Sequence, residues 1–417
     1  MKRITGKYGS AKIFATKIDE ATKNQITTLL DQPFTKGIKI RVMPDCHAGM
    51  GCVIGTTMMI KDKVVPNLVG VDIGCGMLCA CLGSGEIDLK ALDNFIRKEI
   101  PSGREVNKVN TNLMEESNTP FVDLTKLKCY DELKNIDRIN MSLGSLGGGN
   151  HFIEIDKSAD GNFYLVIHSG SRNLGKQVAE IYQDKAVKYH ESKLFDKSKA
   201  IKEAIEECKR NGTVREIPSV VKKINERIVE LDMPKELCYL EGDDLKDYLQ
   251  DVAICQEFAN MNRHYICWKI IEFLNNKIDR RLIFTTAHNY INNNILRKGA
   301  ISAFKGELVI IPINMRDGSI IGVGKGCRDY NYSAPHGAGR LMSRSQARKE
   351  LKVKDFKETM KGIYSTSVGR ETIDESPSAY KPIEDIINNI SKTIEIVEII
   401  KPVYNFKASE EYEKKDN

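Results

Sequence analysis

The sequence predicts an α+β protein built as a single large domain, in which mixed and antiparallel β-sheets are flanked by helices. Short β-rich runs punctuated by Gly, Pro and Asp alternate with long segments of helical spacing. No internal repeat and no Pro- or Ser-rich linker divides the chain. Residues with the chemistry of metal ligands are spread from 72 to 336, so a site that uses all of them requires residues 40–340 in one compact unit.

Strands are expected in three stretches of the chain. Residues 38–82 contain β-rich runs separated by tight loops, and these loops hold the chemically reactive residues. Residues 150–168 contain two apolar runs, each with a histidine at one end. Strands return over residues 300–323. Because strand ends are rigid, these stretches are suitable places for ligands.

Helices are expected between and after those strands. A helical excursion is predicted at about 176–235, and a second helical block over 244–278. Residues 340–400 are predicted to be mostly helical and to end in an isoleucine-rich stripe at 383–397. The predicted domain covers residues 1–409, and residues 410–417 form a charged C-terminal tail.

The bulk composition excludes several classes of protein. A chain of 417 residues with 41% hydrophobic and 29% charged residues is neither disordered nor a membrane protein, and no run of about 18 apolar residues is present. A net charge of +6 permits a polyanionic partner without requiring one. The 11 cysteines are an odd number and no signal peptide is evident, so we expect reduced thiols and a cytoplasmic location.

Basic residues are concentrated after His336. The run contains Arg340, Arg344, Arg348, Lys349, Lys352, Lys354 and Lys357. Two interpretations remain open for it, a solvated helix face or a track for a phosphate backbone.

The most informative segment is residues 69–77, which places Asp72 and Cys75 three positions apart in a glycine-rich loop. A carboxylate suits manganese or magnesium, whereas a thiolate suits zinc, iron or cobalt. The pair therefore indicates a borderline divalent metal. Three histidines in Gly- or Asn-rich surroundings, His151, His168 and His288, are the candidate partners.

Other residues of similar chemistry receive different interpretations. His190 and His264 lie in charged helical context and are expected at the surface or in packing. Cys79 lies, like Cys81, in an apolar strand and is expected to be structural. Asp45 and His47, on either side of Cys46, are either supporting partners of the metal ligands or substrate contacts. Glycines 144 and 147–149 form either an anion-binding nest or tight turns.

His336 differs from the three candidate ligands because it lies between Pro335 and the small residues Gly337, Ala338 and Gly339. Small neighbours leave room for a bulky electrophile, and Arg340 supplies a guanidinium for phosphate oxygens. An exposed histidine of this kind can be a nucleophile. Spacing alone leaves open whether it instead completes the metal shell.

These motifs together resemble one known family, the RtcB-type RNA ligases. The matching segments are 70–77, 147–155, 168–172, 288–290, 297–300 and 336–340. The resemblance is collinear from about residue 41 to residue 407. It implies an RtcB-like fold whose sheets surround a dinuclear metal site.

The resemblance also implies a GTP- and Mn²⁺-dependent RNA ligase. Such an enzyme joins RNA 2′,3′-cyclic phosphate or 3′-phosphate ends to 5′-hydroxyl ends through a histidine-linked GMP and a 3′-guanylylated RNA. In this chain His336 would carry the GMP, and Arg172 would support the phosphates. The implied metal ligands for two Mn²⁺ ions are Asp72, Cys75, His151, His168 and His288. The implied guanylate contacts are Asn150, Phe152, Glu154, Asn314, Ser319, Gly337, Gly339, Tyr380 and Lys407.

Two departures from the family pattern stand out. Asn314 replaces a serine contact to the guanylate, and Lys407 is followed by ten more residues where the family usually ends. They indicate a bacterial paralogue that acts in RNA repair, on a damaged tRNA or rRNA. The further expectations are a monomer or weak dimer and an archease-like activator as partner. The rival hypotheses are a dinuclear metal-dependent RNA-end phosphoesterase without nucleotidyl transfer and a non-catalytic RNA-binding or metal-sensing protein.

Overall fold

Strands and helices alternate along the whole described chain. The computed structural model describes residues 2–49, 51–109, 121–227, 229–275 and 283–408. Its strands are β1 (Lys2–Thr5), β2 (Ser10–Ile13), β3 (Ile40–His47), β4 (Ile54–Met59), β5 (Lys63–Val64), β6 (Gly76–Gly83), β7 (Phe152–Lys157), β8 (Phe163–Ser169), β9 (Leu240–Glu241), β10 (Ile283–Ala287), β11 (Asn289–Asn292), β12 (Ile295–Lys298), β13 (Ala300–Ser302), β14 (Leu308–Asn314), β15 (Gly318–Gly324), β16 (Ser333–Pro335) and β17 (Ile394–Lys407). Its α-helices are α1 (Glu20–Leu30), α2 (Leu89–Glu99), α3 (Ile136–Met141), α4 (Arg172–Leu194), α5 (Lys197–Arg210), α6 (Ile217–Asn225), α7 (Gly242–Phe273), α8 (Arg344–Glu350), α9 (Val353–Thr359) and α10 (Ile383–Ile390).

The larger sheet is antiparallel and nearly closed. Its strand order is β10-β6-β8-β7-β17-β15-β14. The two edge strands contact each other, and the Ile310 N–H on β14 donates to Thr286 Oγ1 on β10 at 3.3 Å. Apolar side chains fill part of the interior: Met77, Cys79, Phe152, Val166, Ile310, Ile321 and Ile400. This curled sheet with flanking helices confirms the predicted α+β class.

The second sheet has the order β1-β2-β3-β4-β12-β11. Its neighbouring strands are antiparallel apart from β2 and β3, which run parallel. Strand β3 is long and largely buried, and it ends at His47. It therefore carries Asp45 and His47 to the place where the two sheets meet the site described below.

Helix α7 fixes the loops that carry the candidate ligands. The buried Arg263 donates through Nη1 to Gly74 O at 2.8 Å and to Ser169 O at 2.9 Å. Burial lowers the pKa of this guanidinium to about 10. The neighbouring Asn262 accepts from Gly144 N at 2.7 Å and donates to Gly170 O at 3.0 Å. One helix turn thus satisfies buried backbone groups in three separate loops.

The C-terminal part of the chain corrects the prediction of a mostly helical segment at 340–400. Helices α8, α9 and α10 are short, and the isoleucine-rich stripe at 383–397 is divided between α10 and strand β17. The helix stops at Ile390, and Thr393 N donates to Ile390 O at 2.8 Å. From Ile394 onward, β-branched side chains pair in register with β15 and then with β7. Helical spacing of isoleucines continued by chance into a strand.

The structure gives the helix bounds within two other predicted segments. The helical excursion at 176–235 contains α5, α6 and most of α4. The block at 244–278 corresponds to α7, although residues 276–278 lie outside the described residues, as does the whole tail at 410–417. In the described part of the chain, no helix is long and apolar enough to cross a membrane.

Candidate metal centre and nucleotide cavity

Three of the predicted metal ligands converge on adjacent strands of the curled sheet. Cys75 immediately precedes β6, His151 immediately precedes β7, and His168 lies on β8 between them. Cys75 Sγ lies 3.3 Å from Nε2 of His151 and 3.3 Å from Nε2 of His168. The three ligand atoms lie within 4.8 Å of one another. Residues up to 93 positions apart thus form one cluster with metal-ligand chemistry.

Asp72 and His288 adjoin this cluster. Asp72 Oδ2 lies 3.1 Å from His151 Nε2. The His288 N–H donates to Cys75 O at 2.9 Å, and the His288 ring centroid lies 5.1 Å from that of His168. The structure therefore brings all five predicted ligands together. Their assignment to individual ions remains a prediction.

The protonation state of the cluster fits a metal site. Burial, with a contribution from neighbouring imidazoles, lowers the pKa of His168 and of His288 well below the usual range, so both rings are neutral. The Nδ1–H of His168 donates to Asn150 O at 3.0 Å, which leaves the Nε2 lone pair facing Cys75. Such a backbone acceptor is the usual support of a ligating imidazole.

Unpaired buried atoms point to the same conclusion. Asp72 Oδ1 and His288 Nδ1 have no hydrogen-bond partner among the described residues. Burial and the carboxylate of Asp72 raise the pKa of the Cys75 thiol, so its thiolate needs a nearby cation. A carboxylate, a thiol and neutral imidazoles form a donor set that suits a borderline divalent cation.

Glycine is required at two positions beside the ligands. A Cβ on Gly170 would lie 2.2 Å from Asp72 Oδ1. A Cβ on Gly147, whose φ is +93°, would lie 2.3 Å from Arg172 Nη1 and 2.4 Å from His151 Nδ1. The glycines that flank the histidine motifs therefore make room for the ligands.

His336 lies next to the metal cluster and has a carboxylate partner. It follows β16, and its ring centroid is 5.0 Å from that of His288. Asp45 Oδ2 on β3 lies 2.7 Å from His336 Nδ1 and 3.1 Å from its backbone N. The Asp45 side chain is fully buried. The structure thus places Asp45, whose role the sequence left open, as the partner of His336.

A cavity of about 230 Å³ opens beside these imidazoles. His47, His168, His288 and His336 line one part of it. It is also lined by most of the residues predicted to hold a guanylate: Asn150, Phe152, Glu154, Asn314, Gly337, Gly339, Tyr380 and Lys407. Ser319 does not line the cavity; it is buried on β15, and its Oγ has no hydrogen-bond partner among the described residues.

Asn314 lines the cavity, but its amide is committed to the turn between β14 and β15. Its Oδ1 accepts from the backbone N–H groups of Arg316 and Asp317 at 3.0 and 2.9 Å. Its Nδ2 donates to the Asp317 carboxylate at 2.8 Å. The asparagine that replaces the family's serine therefore stabilises its own turn.

Arg172 lies at the start of α4 and does not line the cavity. Its φ of 58° is in the left-handed region, an unusual conformation for a residue with a side chain. The guanidinium donates to Ser145 Oγ at 3.0 Å and to Gly103 O at 2.8 Å. Burial lowers its pKa to about 10. The side chain is fixed close to His151, because a Cβ on Gly147 would meet both Arg172 Nη1 and His151 Nδ1.

The cavity is also lined by two residues that the sequence did not single out, Glu375 and Asn405. Glu375 is buried and contacts Lys407, Tyr380 and two arginines. Asn405 Nδ2 donates to Glu154 Oε1 at 2.6 Å. Burial raises the pKa of Glu154 to about 7, although Asn405 and Lys407 both act to lower it. No local motif marks Glu375, because its partners come from distant segments.

The other sequence interpretations can also be placed. His190 is buried, with its ring 4.4 Å from that of Tyr239, and half-buried His264 lies against Trp268, so both are packing residues. Cys79 is fully buried in the apolar interior of the curled sheet. Arg344 and Arg348 of the basic run lie on α8 and pair with the buried Asp374. That run is therefore only partly a solvated face.

Comparison with known proteins agrees with this geometry. The family profile of tRNA-splicing ligase RtcB matches residues 25–408. RNA-splicing ligase RtcB of Escherichia coli K12 is 30% identical over 420 residues, which cover 93% of this chain and 94% of the relative. The tRNA-splicing ligase RtcB of Aeropyrum pernix is 27% identical over 437 residues, with 83% and 82% coverage. The cluster of Cys75 with its histidines, and a profile match across nearly the whole chain, lead to one conclusion: this chain belongs to the tRNA-splicing ligase RtcB family and is an RNA ligase.

Proposed function

We propose that this ligase uses GTP and Mn²⁺ to join RNA 2′,3′-cyclic phosphate or 3′-phosphate ends to 5′-hydroxyl ends, in RNA repair. The observation that carries the proposal is the pair formed by His336 and Asp45 at the cavity, one imidazole away from the metal cluster. A metal-dependent hydrolase would use such a pair as a general acid or base, so covalent attachment of GMP to His336 is what distinguishes the two functions.

The pairing with Asp45 determines which nitrogen of His336 reacts. A carboxylate oxygen accepts hydrogen bonds, so Nδ1 carries the proton that lies between His336 and Asp45 Oδ2. The lone pair is then on Nε2. An imidazole held in this tautomer by a buried carboxylate is the arrangement of an activated nucleophile.

The cavity wall has the polarity of a guanine site. The Glu154 carboxyl can accept hydrogen bonds, and the Lys407 ammonium can only donate them. The pairing edge of guanine offers N–H donors and a carbonyl acceptor, whereas adenine offers an amino donor where guanine has the carbonyl. The Phe152 ring lies in the same wall and provides an apolar surface for a base.

The predicted ligands would hold two cations, with Cys75 contributing to both sites. His168 and His288 would complete one site, and Asp72 and His151 the other. Bound divalent cations neutralise charge that develops on phosphate oxygens during phosphoryl transfer. The protein's contribution is to hold neutral imidazoles in fixed orientations, through Asn150 O for His168 and through the backbone of Cys75 for His288.

The proposed reaction balances in three steps. His336 Nε2 bonds to the α-phosphorus of GTP, the bond from that phosphorus to the bridging oxygen breaks, and pyrophosphate leaves. An oxygen of the RNA 3′-phosphate then takes the guanylyl group, which breaks the N–P bond and frees His336. Finally the 5′-hydroxyl attacks the activated 3′-phosphorus, loses its proton and displaces GMP. A cyclic phosphate end first adds one water to give the 3′-phosphate.

The test is covalent labelling of the full-length protein with GTP carrying ³²P at the α-position, in the presence of manganese. We expect label that survives denaturation and that is lost in His336→Ala. His264→Ala is the matched control, because this half-buried histidine packs against Trp268 in α7, and it should label normally. An unlabelled wild-type protein that nevertheless hydrolyses cyclic phosphate ends would support the phosphoesterase instead.

A further inference from the structure

Two neighbouring carboxylates, Asp374 and Glu375, are buried under the rim of the cavity. Their side chains are only 3% and 2% exposed, and together they contact four cations. Burying two adjacent charges is costly unless each one is fully paired. Such an arrangement in a cavity wall indicates that the carboxylates hold neighbouring side chains in fixed positions.

The two carboxylates divide their partners unequally. The Asp374 carboxylate pairs with two arginines at the rim of the cavity, Arg344 through Nη1 at 2.7 Å and Arg348 through Nε at 3.3 Å. Glu375 also accepts from Arg344, at 2.7 Å, but its Oε2 faces inward. There it lies 2.5 Å from Lys407 Nζ and accepts the Tyr380 O–H at 2.8 Å.

We infer that Glu375 is a positioning residue that fixes Lys407 and Tyr380 in the wall of the nucleotide cavity. This inference rests on the proposed function, since it assigns a role to the wall that faces the guanylate. Lysine has a long, flexible side chain and would otherwise occupy many rotamers at the end of β17. Glu375 holds the ammonium at one N–H, and Asn150 O lies 3.5 Å from the same nitrogen, so the side chain is directed along the cavity wall.

The charge of Glu375 is permanent under all working conditions. Burial alone would raise the pKa of its carboxyl, but Lys407, Arg344 and Arg340 outweigh burial and hold the pKa at about 2. The support for Lys407 and Tyr380 therefore does not depend on pH. Arg344 is 40% exposed while still bonded to Glu375, so the same carboxylate links the cavity wall to a cation that faces solvent.

A matched pair of variants tests the role. Glu375→Gln removes the charge and weakens the hold on Lys407, whereas Asp374→Asn removes an equally buried charge that does not contact Lys407 or Tyr380. We expect Glu375→Gln to raise the KM for GTP in the labelling reaction at least tenfold, with kcat at saturating GTP within about threefold of wild type. Asp374→Asn should leave that KM within twofold.

A second readout does not depend on GTP chemistry. The rate at which acetic anhydride modifies the Lys407 amine, followed by mass spectrometry of the nucleotide-free protein, should rise at least fivefold in Glu375→Gln and stay unchanged in Asp374→Asn. If Glu375→Gln does not fold, Glu375→Asp provides the test, because it keeps the charge but withdraws the carboxylate from Lys407. We expect about half the increase in that case.

The outcomes separate the two proposals. A wild-type protein that takes no label contradicts the proposed function, while the amine-modification rates still decide the role of Glu375. Normal labelling together with an unchanged KM and an unchanged Lys407 modification rate in Glu375→Gln would overturn the inference alone. Equal effects of Glu375→Gln and Asp374→Asn would also overturn it, because they would assign the effect to the arginine rim.

Discussion

The two walls of the cavity are both buried, but they avoid the cost of burying polar groups in opposite ways. One part of the wall, here called the metal wall, contains His168 and His288 beside the metal cluster. Burial lowers the pKa of both imidazoles, so they are neutral. In the other part, here called the charged wall, Glu375 forms ion pairs with Lys407 and Arg340. Neutral imidazoles leave lone pairs free for a cation, whereas the charges of an ion pair neutralise each other and restrain the two side chains. The metal wall is thus suited to bind a cation, and the charged wall to hold its side chains in fixed positions.

The largest expected effect comes from removing the thiol that joins the ligands of the metal wall. Cys75→Ala deletes the Sγ that lies 3.3 Å from both His151 and His168. We expect bound manganese, measured by elemental analysis after gel filtration, to fall below one tenth of the wild-type content. Covalent labelling by GTP should fall at least a hundredfold.

The control for this experiment is Cys267→Ala. It removes another fully buried thiol, which α7 contributes to a separate apolar cluster. It should retain both metal and label. Full manganese content in Cys75→Ala would show that the cluster is not the metal site.

The contrast between the walls also explains what the sequence could predict. The ligands of the metal wall lie in short motifs in which glycines flank a Cys or a His, and the close contacts at Gly170 and Gly147 are the physical reason for those glycines. Each motif could therefore be recognised locally. The α+β class was predictable for a similar reason, because strand periodicity is local.

The charged wall could not be predicted in this way. Glu375 follows Ile373 and Asp374 in a short 3-10 turn, and nothing in that turn indicates a partner at position 407. The pairing depends on β17, whose first residues, Ile394 to Val397, were wrongly predicted as the end of a helical stripe. Once Ile394 starts a strand, its far end brings Asn405 and Lys407 beside β7, in register with Glu154 and Phe152. The error in secondary structure and the missed residues therefore have one cause.

A smaller perturbation of the metal wall uses the space that glycine leaves. Gly170→Ala would place a Cβ 2.2 Å from one carboxylate oxygen of Asp72 and 2.5 Å from the other. The carboxylate must move, so we expect manganese affinity, measured by calorimetry, to fall about tenfold, equivalent to about 1.4 kcal/mol. The control is Gly161→Ala in the turn between β7 and β8. Its φ of +91° makes the substitution strained, but a Cβ there meets no atom within 4 Å, so it shows whether backbone strain away from the ligands lowers manganese affinity. Unchanged affinity in Gly170→Ala would show that Asp72 is not a ligand.

Glu154 is the one carboxyl of the cavity wall without an ion pair, and it should show a cost that depends on pH. Burial raises its pKa to about 7 in the folded protein, well above the value of about 4.3 in an unfolded chain. Between these values the native state binds more protons than the unfolded state, so stability falls as pH rises through this window. Glu154→Gln, which stays neutral, removes that loss.

We therefore expect Glu154→Gln to melt within 1 °C of wild type at pH 5 and roughly 1–3 °C higher at pH 8. Binding of GTP should weaken in the same variant, because an amide cannot replace a carboxylate that accepts from two N–H groups. Glu395→Gln, at an exposed position on β17, is the control, and its melting temperature should stay within 1 °C of wild type at both pH values. Equal melting temperatures of Glu154→Gln and wild type at pH 8 would contradict the assignment.

The smallest effect is expected at Cys79, which lies four residues beyond Cys75 in β6, the strand that Cys75 immediately precedes. Cys79 is fully buried, and burial raises the pKa of its thiol well above the usual range, as it does for Cys75. Its surroundings, however, are the apolar side chains of Met77, Phe152 and Val166. Cys79→Ala leaves only a small cavity and should cost about 1–2 kcal/mol in the free energy of unfolding, measured by denaturant titration.

Metal content and GTP labelling should stay within twofold of wild type in Cys79→Ala, because no predicted ligand changes. The two thiols are alike in burial and in the direction of their pKa shifts, so those properties cannot distinguish a ligand from a packing residue. What distinguishes them is that Cys75 Sγ lies 3.3 Å from two imidazole nitrogens, those of His151 and His168, and that Asp72 beside them has a buried oxygen without a partner among the described residues. Loss of manganese from Cys79→Ala would mean that the geometry of the metal wall depends on the interior of the curled sheet. The metal ligands and the core could then not be treated as separate, and the comparison of the two walls would fail.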